Sequence, residues 1–453
     1  MSNCIKFSAR ASLVMTGLRI GQMNVWPTIQ ENVHIKQKVL SHTPLDKMKD
    51  AFINILAGGH GLVEVNTRVR VDAALSQAFG RDKCADQSTI SDTFNACTVD
   101  NVVEMRTANR VIYQRYGRGY AHRYDQGWQL LDVDMSGLPA GRQGEGVEKG
   151  YFAQQKNKRG RQLGRVVATL YDEIVVERLY NGKTQLDRSL QQLVSDAEQV
   201  LNLNPGFRKR TIMRVDAGGG RDEDINHLLN QEYYLLGKVK NWRRAEKLCR
   251  SVTTWYPDPK IPHRQMGWVE EPHAYVRPTR QLAIRHRKKN GKWSYHVLVF
   301  NLTDEMLYWL IDQTLPDAPL PEAILLTAMY AYDRRGGAAE TSIKGSKQGL
   351  GITKRNKQRF AAQEMLILLG QLAYNLISWI RQDLATVRPA WQRLGMLRMV
   401  RDVFHISGQV VLDGQGHIQC ITLNNAHPLA QPFMAGLLCY LARDGTSLNL
   451  GEI

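Results

Sequence analysis

Cysteine pairs and zinc-ligand patterns are missing from this sequence. Its six cysteines lie far apart along the chain, with no Cys-x-x-Cys pair. Disulfide-stabilised secreted domains and zinc-binding modules both use closely spaced cysteine sets, so neither class fits. The thiols instead predict a reduced protein of the cytoplasm.

Long hydrophobic runs are also scarce. The most apolar stretch, residues 360–380, is interrupted by four polar side chains, Glu364 among them, which indicates a buried helix rather than a bilayer span. Near the start, the apolar run from Ala11 to Leu18 is short and is followed by Arg19, which argues against a signal peptide. We therefore expect no association with a membrane.

Acidic residues are outnumbered by basic ones. The 453-residue chain contains 60 lysines and arginines against 43 acidic residues, which gives a formal net charge of +17. A charge of this size predicts a polyanionic partner, and nucleic acid fits better than a membrane surface. The length allows two to four domains.

Residues 1–125 are predicted to be mainly helical. Apolar residues at helical spacing indicate a helix over Asp46–Leu56, and a polar cluster at Gln87–Phe94 indicates the start of another that continues towards Arg115. Short helices with a hydroxyl-rich entry and arginines behind it suit a DNA-binding domain. An ordinary bundle of capped helices explains the same pattern.

Residues 126–239 change from a helical to a strand-like pattern. The predicted elements are strands at 128–137, 165–170 and 173–180, a helix at 186–201, a strand at 210–216, a helix at 222–230 and a strand at 233–239. This order describes a ribonuclease-H-like α/β core with a mixed five-stranded sheet. Its first and fourth strands are neighbours, so Asp134 and Asp216 are expected a few ångströms apart near strand ends. Asp132 is the alternative to Asp134, which lies closer to the strand end.

Residues 240–322 are predicted to interrupt this core with a β-rich insertion. The insertion contains five tryptophans and the hairpin signal Asn290-Gly291 between two strand-like segments. Arg287 and Lys288 at the hairpin, with Trp293 beside them, are candidates to bind a phosphate backbone and to stack on an unpaired base. Packing in the core is the commoner role of a tryptophan.

The core resumes at residues 323–395, where the segment Tyr332–Lys347 is rich in charge. Glu340, Lys344 and Lys347 are spaced to share one face of a predicted helix. A carboxylate among cations suits a metal ion beside a phosphate, although an exposed helix face with charge pairs is the alternative. Residues 396–453 predict a hairpin and a last helix, without a catalytic candidate.

Three carboxylates from separate parts of one core predict a two-metal site for phosphoryl transfer. Two Mg²⁺ ions, for which Mn²⁺ can substitute, would lie about 3.5–4 Å apart and act on the attacking and leaving oxygens. Asp134 would bridge both ions, Asp216 would hold one and Glu340 the other, because Mg²⁺ prefers oxygen ligands.

Cationic and aromatic side chains predict where this core binds DNA phosphates. Tyr332, Arg335, Lys344 and Lys347 lie in the segment that carries Glu340. A separate basic loop is predicted before the second strand, containing Lys156, Lys158, Arg159, Arg161 and Arg165.

Four stretches taken together resemble the DDE transposases of the insertion-sequence-four clan, which bacterial insertion sequences encode. Residues 131–136 resemble the first-aspartate strand of that family and residues 214–218 the second. Tyr332–Lys347 is similar to its Tyr-Arg-Glu-Lys signature, and residues 361–375 to the helix that follows. One difference is that four residues separate Arg335 from Glu340, where the family usually has three.

The resemblance implies a substrate, a cofactor and an assembly. It implies terminal inverted repeats and target DNA as double-stranded substrates, dependence on Mg²⁺, a homodimer in the synaptic complex, and a bacterial cytoplasmic protein associated with the nucleoid. Cleavage would free a 3′ hydroxyl that then attacks target DNA. Two alternatives stay open: a ribonuclease-H-like nuclease that cuts without joining, and a non-catalytic DNA-binding relic of a transposase.

Overall fold

The computed structural model describes residues 4–152, 155, 157–337 and 339–452, so Lys156 lies outside the described residues. The strands are β1 Cys4–Ser8, β2 Gln129–Pro139, β3 Glu148–Lys149, β4 Arg159–Ala168, β5 Glu173–Tyr180, β6 Thr211–Val215, β7 Tyr234–Lys238, β8 Tyr256–Pro257, β9 Arg264–Trp268, β10 Arg280–Arg287, β11 Trp293–Phe300, β12 Gly408–Leu412, β13 Ile418–Asn424 and β14 Ser447–Gly451. The helices are α1 Ala11–Gln22, α2 Val25–Asn32, α3 Pro44–Leu56, α4 Val65–Arg68, α5 Ala73–Ala78, α6 Gln87–Ala96, α7 Val99–Tyr116, α8 Leu190–Leu201, α9 Pro205–Arg208, α10 Asp222–Asn230, α11 Trp242–Cys249, α12 Asp304–Leu310, α13 Pro321–Asp333, α14 Ala339–Gln348, α15 Phe360–Ala385, α16 Met396–Arg398 and α17 Ala430–Leu441.

The chain forms two compact units. Unit 1 comprises residues 1–117, 138–147 and 343–453, and unit 2 comprises residues 118–137 and 148–342. Unit 1 thus contains both the N-terminal and the C-terminal regions of the chain. There β1 pairs with β12 in a sheet of order β1-β12-β13-β14. A pairing across some four hundred residues leaves no local signal in the sequence.

The predicted long helix from Gln87 towards Arg115 is divided into α6 and α7. Thr98 separates them by capping α7. Its hydroxyl accepts a hydrogen bond from the Asn101 N–H at 3.3 Å, and the Asn101 side chain accepts one from the Thr98 N–H at 3.1 Å. This reciprocal cap satisfies two backbone donors that a helix start would leave unpaired.

Unit 1 contains α15 as a buried helix, which confirms that prediction and extends it to Ala385. Among the described residues, α15 is the only helix long and apolar enough to cross a bilayer, and 94% of its most apolar window is buried. Two polar contacts join it to α7: Glu364 forms an ion pair with Arg106, and the Leu368 carbonyl accepts a hydrogen bond from Asn109 at 3.0 Å. One of the polar interruptions, Glu364, therefore attaches α15 to a neighbouring helix.

Unit 2 is built on a mixed sheet of order β3-β4-β2-β6-β7-β11-β10-β9-β8, with β5 paired to β4. The first and fourth predicted strands, β2 and β6, are parallel neighbours, as expected. The five predicted core strands correspond to β2, β4, β5, β6 and β7 and pair with one another, while further strands extend the sheet to ten in the described part of the chain. The reason is that β11 of the insertion pairs with β7, which would otherwise be an unpaired edge.

The core of unit 2 lies between this sheet and helices α12 and α13. Leu130, Leu236, Leu298 and Phe300 of the sheet are buried in one apolar cluster with residues of both helices. Burial of such side chains is the main favourable term in folding. The cluster fixes α13, and therefore the segment that follows its end at Asp333, beside β2 and β6.

Candidate carboxylate site

The register of two parallel strands brings Asp134 and Asp216 together. Val133 on β2 is opposite Val215 on β6, so the two aspartates are the next residues on neighbouring strands, which are separated by roughly 4.7–4.9 Å. β2 continues past Asp134 to Pro139, two residues beyond its predicted end at residue 137. β6 does end before Asp216, whose carboxylate accepts a hydrogen bond from the Gly218 N–H at 2.8 Å.

Asp132, the alternative to Asp134, is held in a buried ion pair. Both of its carboxylate oxygens lie 2.7 Å from nitrogens of Arg214, and the Thr169 hydroxyl donates to it at 2.6 Å. Arg214 also donates to the Ala331 carbonyl at 2.8 Å. Asp132 therefore joins β2, β6 and α13 and is not available as a metal ligand.

Glu340 lies in the first turn of α14, and its side chain is 63% exposed. The same helix is attached to the sheet through Ser342, whose hydroxyl lies 2.8 Å from an Arg165 nitrogen on β4. Arg165 is itself buried and paired with Glu177 on β5. This attachment places the start of α14, and with it Glu340, in unit 2 beside the aspartates.

Arg335 lies between Asp134 and Glu340. Its guanidinium lies 2.9 Å from an Asp134 oxygen and 3.5 Å from a Glu340 oxygen. The side chain is only 5% exposed, and its Nε has no hydrogen-bond acceptor among the described residues. No three His, Cys, Asp or Glu side chains in the described ranges are close enough to hold a metal ion. A guanidinium, rather than a ready metal cage, thus neutralises the carboxylates.

The pKa values of Asp134 and Arg335 depend on the charges of the side chains around them. Burial raises the pKa of Asp134 to about 6, Arg335 opposes that rise, and the charges of Asp216 and Glu340 add to it. Burial acts to lower the pKa of Arg335, but Asp134 and Asp216 more than compensate and raise it, so the guanidinium stays charged. Asp134 therefore lies within electrostatic reach of both other predicted carboxylates.

Two further side chains belong to this site. Burial raises the pKa of the Tyr332 hydroxyl, Arg335 counteracts this, and Asp216 and Asp134 reinforce it. The predicted contact of Tyr332 with DNA stays a prediction. Lys238 was not predicted. Burial lowers its pKa, and Asp216 opposes that shift. The sequence contained a signal for it, because Lys238 lies near the end of the predicted strand at 233–239. That strand corresponds to β7, which is parallel to β6 and ends with Lys238.

The metal-free protein is expected to lose stability as the pH rises from about 4 to about 6. The ordinary pKa of Asp134 is 3.8 and its folded value is about 6, so between these values the folded state binds more protons than the unfolded state. Stability then falls with rising pH and levels off above the folded pKa. Urea midpoints measured in EDTA should show this decline in the wild type and a smaller one in Asp134→Asn. Identical profiles would contradict the assignment.

The predicted basic loop before the second strand is only partly a loop. Arg161 and Arg165 lie on β4 and are buried, so their placement in a loop is wrong. The β4–β5 pairing begins at Gln162, which the sequence pattern did not indicate. Lys158 is exposed and Arg159, at the start of β4, is half-buried.

The remaining predicted DNA contacts differ in accessibility. Arg287 and Lys288 are exposed at the β10–β11 hairpin. Trp293 is half-buried and packs with its ring 4.7 Å from the Arg285 guanidinium, so one of its faces is in use. On α14, Lys344 is exposed and Lys347 half-buried. Their contact with DNA stays a prediction.

Comparison with known proteins finds similarity among solved structures alone. No family model matches the sequence, and no curated protein matches it. Among solved structures, the chain is similar to one described as a cryo-EM structure of piggyBac transposase synaptic complex with hairpin DNA. The TM-score is 0.46 at 12% identity, over 89% of this chain and 82% of that chain. At this score the similarity does not establish a shared fold, and it does not point to the insertion-sequence-four clan.

Proposed function

We propose that this chain is a DNA transposase of a bacterial insertion sequence, with a ribonuclease-H-like core that cleaves DNA and joins strands. The observation that carries the proposal is that Asp134 and Asp216 lie on neighbouring strands while Arg335 links Asp134 to Glu340. Asp134 and Asp216 follow paired residues of parallel strands, and both Asp216 and Glu340 raise the pKa of Asp134. Their setting in a chain of net charge +17 favours a phosphodiester substrate.

The donor chemistry of this group fits two Mg²⁺ ions. Asp134, Asp216 and Glu340 offer only carboxylate oxygens, which hard cations prefer. Such ions would activate the attacking oxygen and stabilise the leaving oxygen of an in-line displacement. Asp134 must be ionised to serve as a ligand, and Arg335 must release its carboxylate first.

Arg335 then has a second role in this proposal. Its buried Nε lacks an acceptor among the described residues, and a phosphate oxygen would provide one. A guanidinium released from Asp134 would turn its charge towards the phosphate beside the scissile bond. Tyr332 of α13 and Lys238 at the end of β7 both lie within electrostatic reach of Asp216 and would position the DNA strand there.

A strand-transfer assay tests the proposal. The protein, supplied with Mg²⁺, DNA carrying the inverted repeats that flank its reading frame, and a target plasmid, is expected to cut at the repeat ends and join the freed 3′ hydroxyls to the target. Cutting without joining would instead identify a nuclease. Binding without either step would identify a non-catalytic DNA-binding protein. Failure to bind DNA at all would end the proposal.

DNA binding is expected to depend steeply on salt. If six to ten cationic groups contact phosphates, affinity should fall by about 10³–10⁵-fold between 50 and 200 mM salt, because each contact releases a counterion. Fluorescence anisotropy with a duplex in EDTA measures this without any cleavage. An affinity that hardly changes over that range would exclude a mainly electrostatic contact with DNA.

A further inference from the structure

Helix α11 presents a surface that folding of the chain does not explain. Trp242, its first residue, is 64% exposed. Arg243 and Lys247, one helical turn apart, are exposed and have no acidic partner among the described residues. Like charges at this spacing destabilise a helix, and an exposed indole contributes no core packing.

The opposite face of α11 accounts for how the helix is held in unit 2. Ala245, Leu248 and Cys249 are buried, and the helix packs on β11 and β10. Arg244 is used in an ion pair with Asp222 of α10. The helix is therefore firmly seated, and its outward face is rigidly presented.

The start of α11 lies at the edge of the sheet that carries the carboxylates. β6 and β7 are parallel, and Asp216 and Lys238 stand at their carboxyl ends. Two residues further on, the Lys240 N–H donates to the Gly220 carbonyl at 2.9 Å. The loops after both strands pack so closely that a Cβ on Gly220 would lie 1.8 Å from the Lys238 carbonyl oxygen. Trp242 follows directly from this junction.

We propose that the exposed face of α11, formed by Trp242, Arg243 and Lys247, binds the sugar-phosphate backbone of the DNA duplex that enters the carboxylate site. This inference rests on the proposed function. The Arg243 guanidinium lies 5.3 Å from the centroid of the Trp242 ring, so the indole and the two cations form one continuous surface. The cations, one helical turn apart, match neighbouring phosphates, and the indole would pack against a deoxyribose. Charge complementarity and the position at the carboxylate edge both favour DNA as the occupant.

The test compares two pairs of charge-removing substitutions in the full chain. Arg243→Ala/Lys247→Ala is expected to weaken binding of a linear duplex about tenfold in EDTA and to reduce the salt slope by about 1.8, since each phosphate contact contributes about 0.9. The control is Lys209→Ala/Arg277→Ala, which removes the same charge from residues that both pair with Glu232, before the start of β7. The control should bind nearly as wild type.

Trp242 provides an independent measurement. Trp242→Ala is expected to weaken DNA binding about tenfold. The substitution removes roughly 60 Å² of ring surface that DNA would bury, and burial of that area corresponds to about a tenfold change in affinity. Trp242→Phe should bind within about threefold of wild type and lose part of the fluorescence quenching that DNA causes.

Three results would overturn this inference. An equal weakening by both charge pairs would mean that only net charge matters, and wild-type binding by both the charge-pair and Trp242 variants would leave α11 without a role. Either result would leave the proposed function intact. A wild-type protein that binds no duplex at all would end both.

Discussion

Asp216→Asn is expected to reduce DNA cleavage by at least about a hundredfold while DNA is bound as tightly as by the wild type. Loss of an outer-shell partner of a metal ligand already reduces activity or metal affinity 10–100-fold, and Asp216 is proposed as a ligand itself. The amide has nearly the same shape and keeps one oxygen, so the acceptor for the Gly218 N–H at 2.8 Å can remain. Gel assays of cleavage and anisotropy of binding, run on the same preparation, separate the two effects.

Asp196→Asn is the matched control, because Asp196 is an aspartate of unit 2 on α8 that pairs with Arg178. It should cleave at close to the wild-type rate. Full activity of Asp216→Asn would remove this residue from the site. Loss of DNA binding in that variant, with binding retained by the control, would show that the aspartate supports the fold rather than the chemistry.

Asp132→Leu and Arg214→Leu are each expected to destabilise unit 2 by about 3–5 kcal/mol. The pair is fully buried, so either substitution leaves the other charge in the interior without a counterion. The loss of the ion pair affects more than β2 and β6, because Arg214 also donates a hydrogen bond to the Ala331 carbonyl of α13. Urea unfolding, monitored together with limited proteolysis, measures the loss.

The double variant Asp132→Leu/Arg214→Leu should recover most of that stability. With both charges gone, the desolvation penalty disappears, and apolar replacements of buried ion pairs are often neutral or stabilising. Arg123 and Asp125 provide the comparison, since that pair is about two-thirds exposed and its disruption should change stability by about 0–1 kcal/mol. Additive losses in the double variant would show that the buried pair is not energetically coupled.

Much of the site could be predicted because its parts carry local signals. Apolar runs that end in aspartate identified β2 and β6, and the order of elements predicted that these strands are neighbours. The helix that carries Glu340 was predicted from the spacing of this residue to two lysines, and the role of Glu340 as a metal ligand stays a prediction. In each case a few consecutive residues contained the evidence.

Other features of the site depend on which strands pair. Lys238 lies at the edge with Asp216 only because β7 is the next parallel strand. Arg161 and Arg165, predicted in a loop, are buried because β4 begins at Arg159. Nothing near Asp132 in the sequence shows that Arg214, some eighty residues later, occupies both of its oxygens.

The sequence alone determined the charge of the chain, the periods of its helices and strands, and the residue types available for chemistry, because these are properties of short segments. The tertiary structure decided that the insertion extends the core sheet through β11, that β1 pairs with β12, and that Arg335 lies between Asp134 and Glu340. These features follow from strand register and burial, which are fixed only when distant segments compete for the same partners.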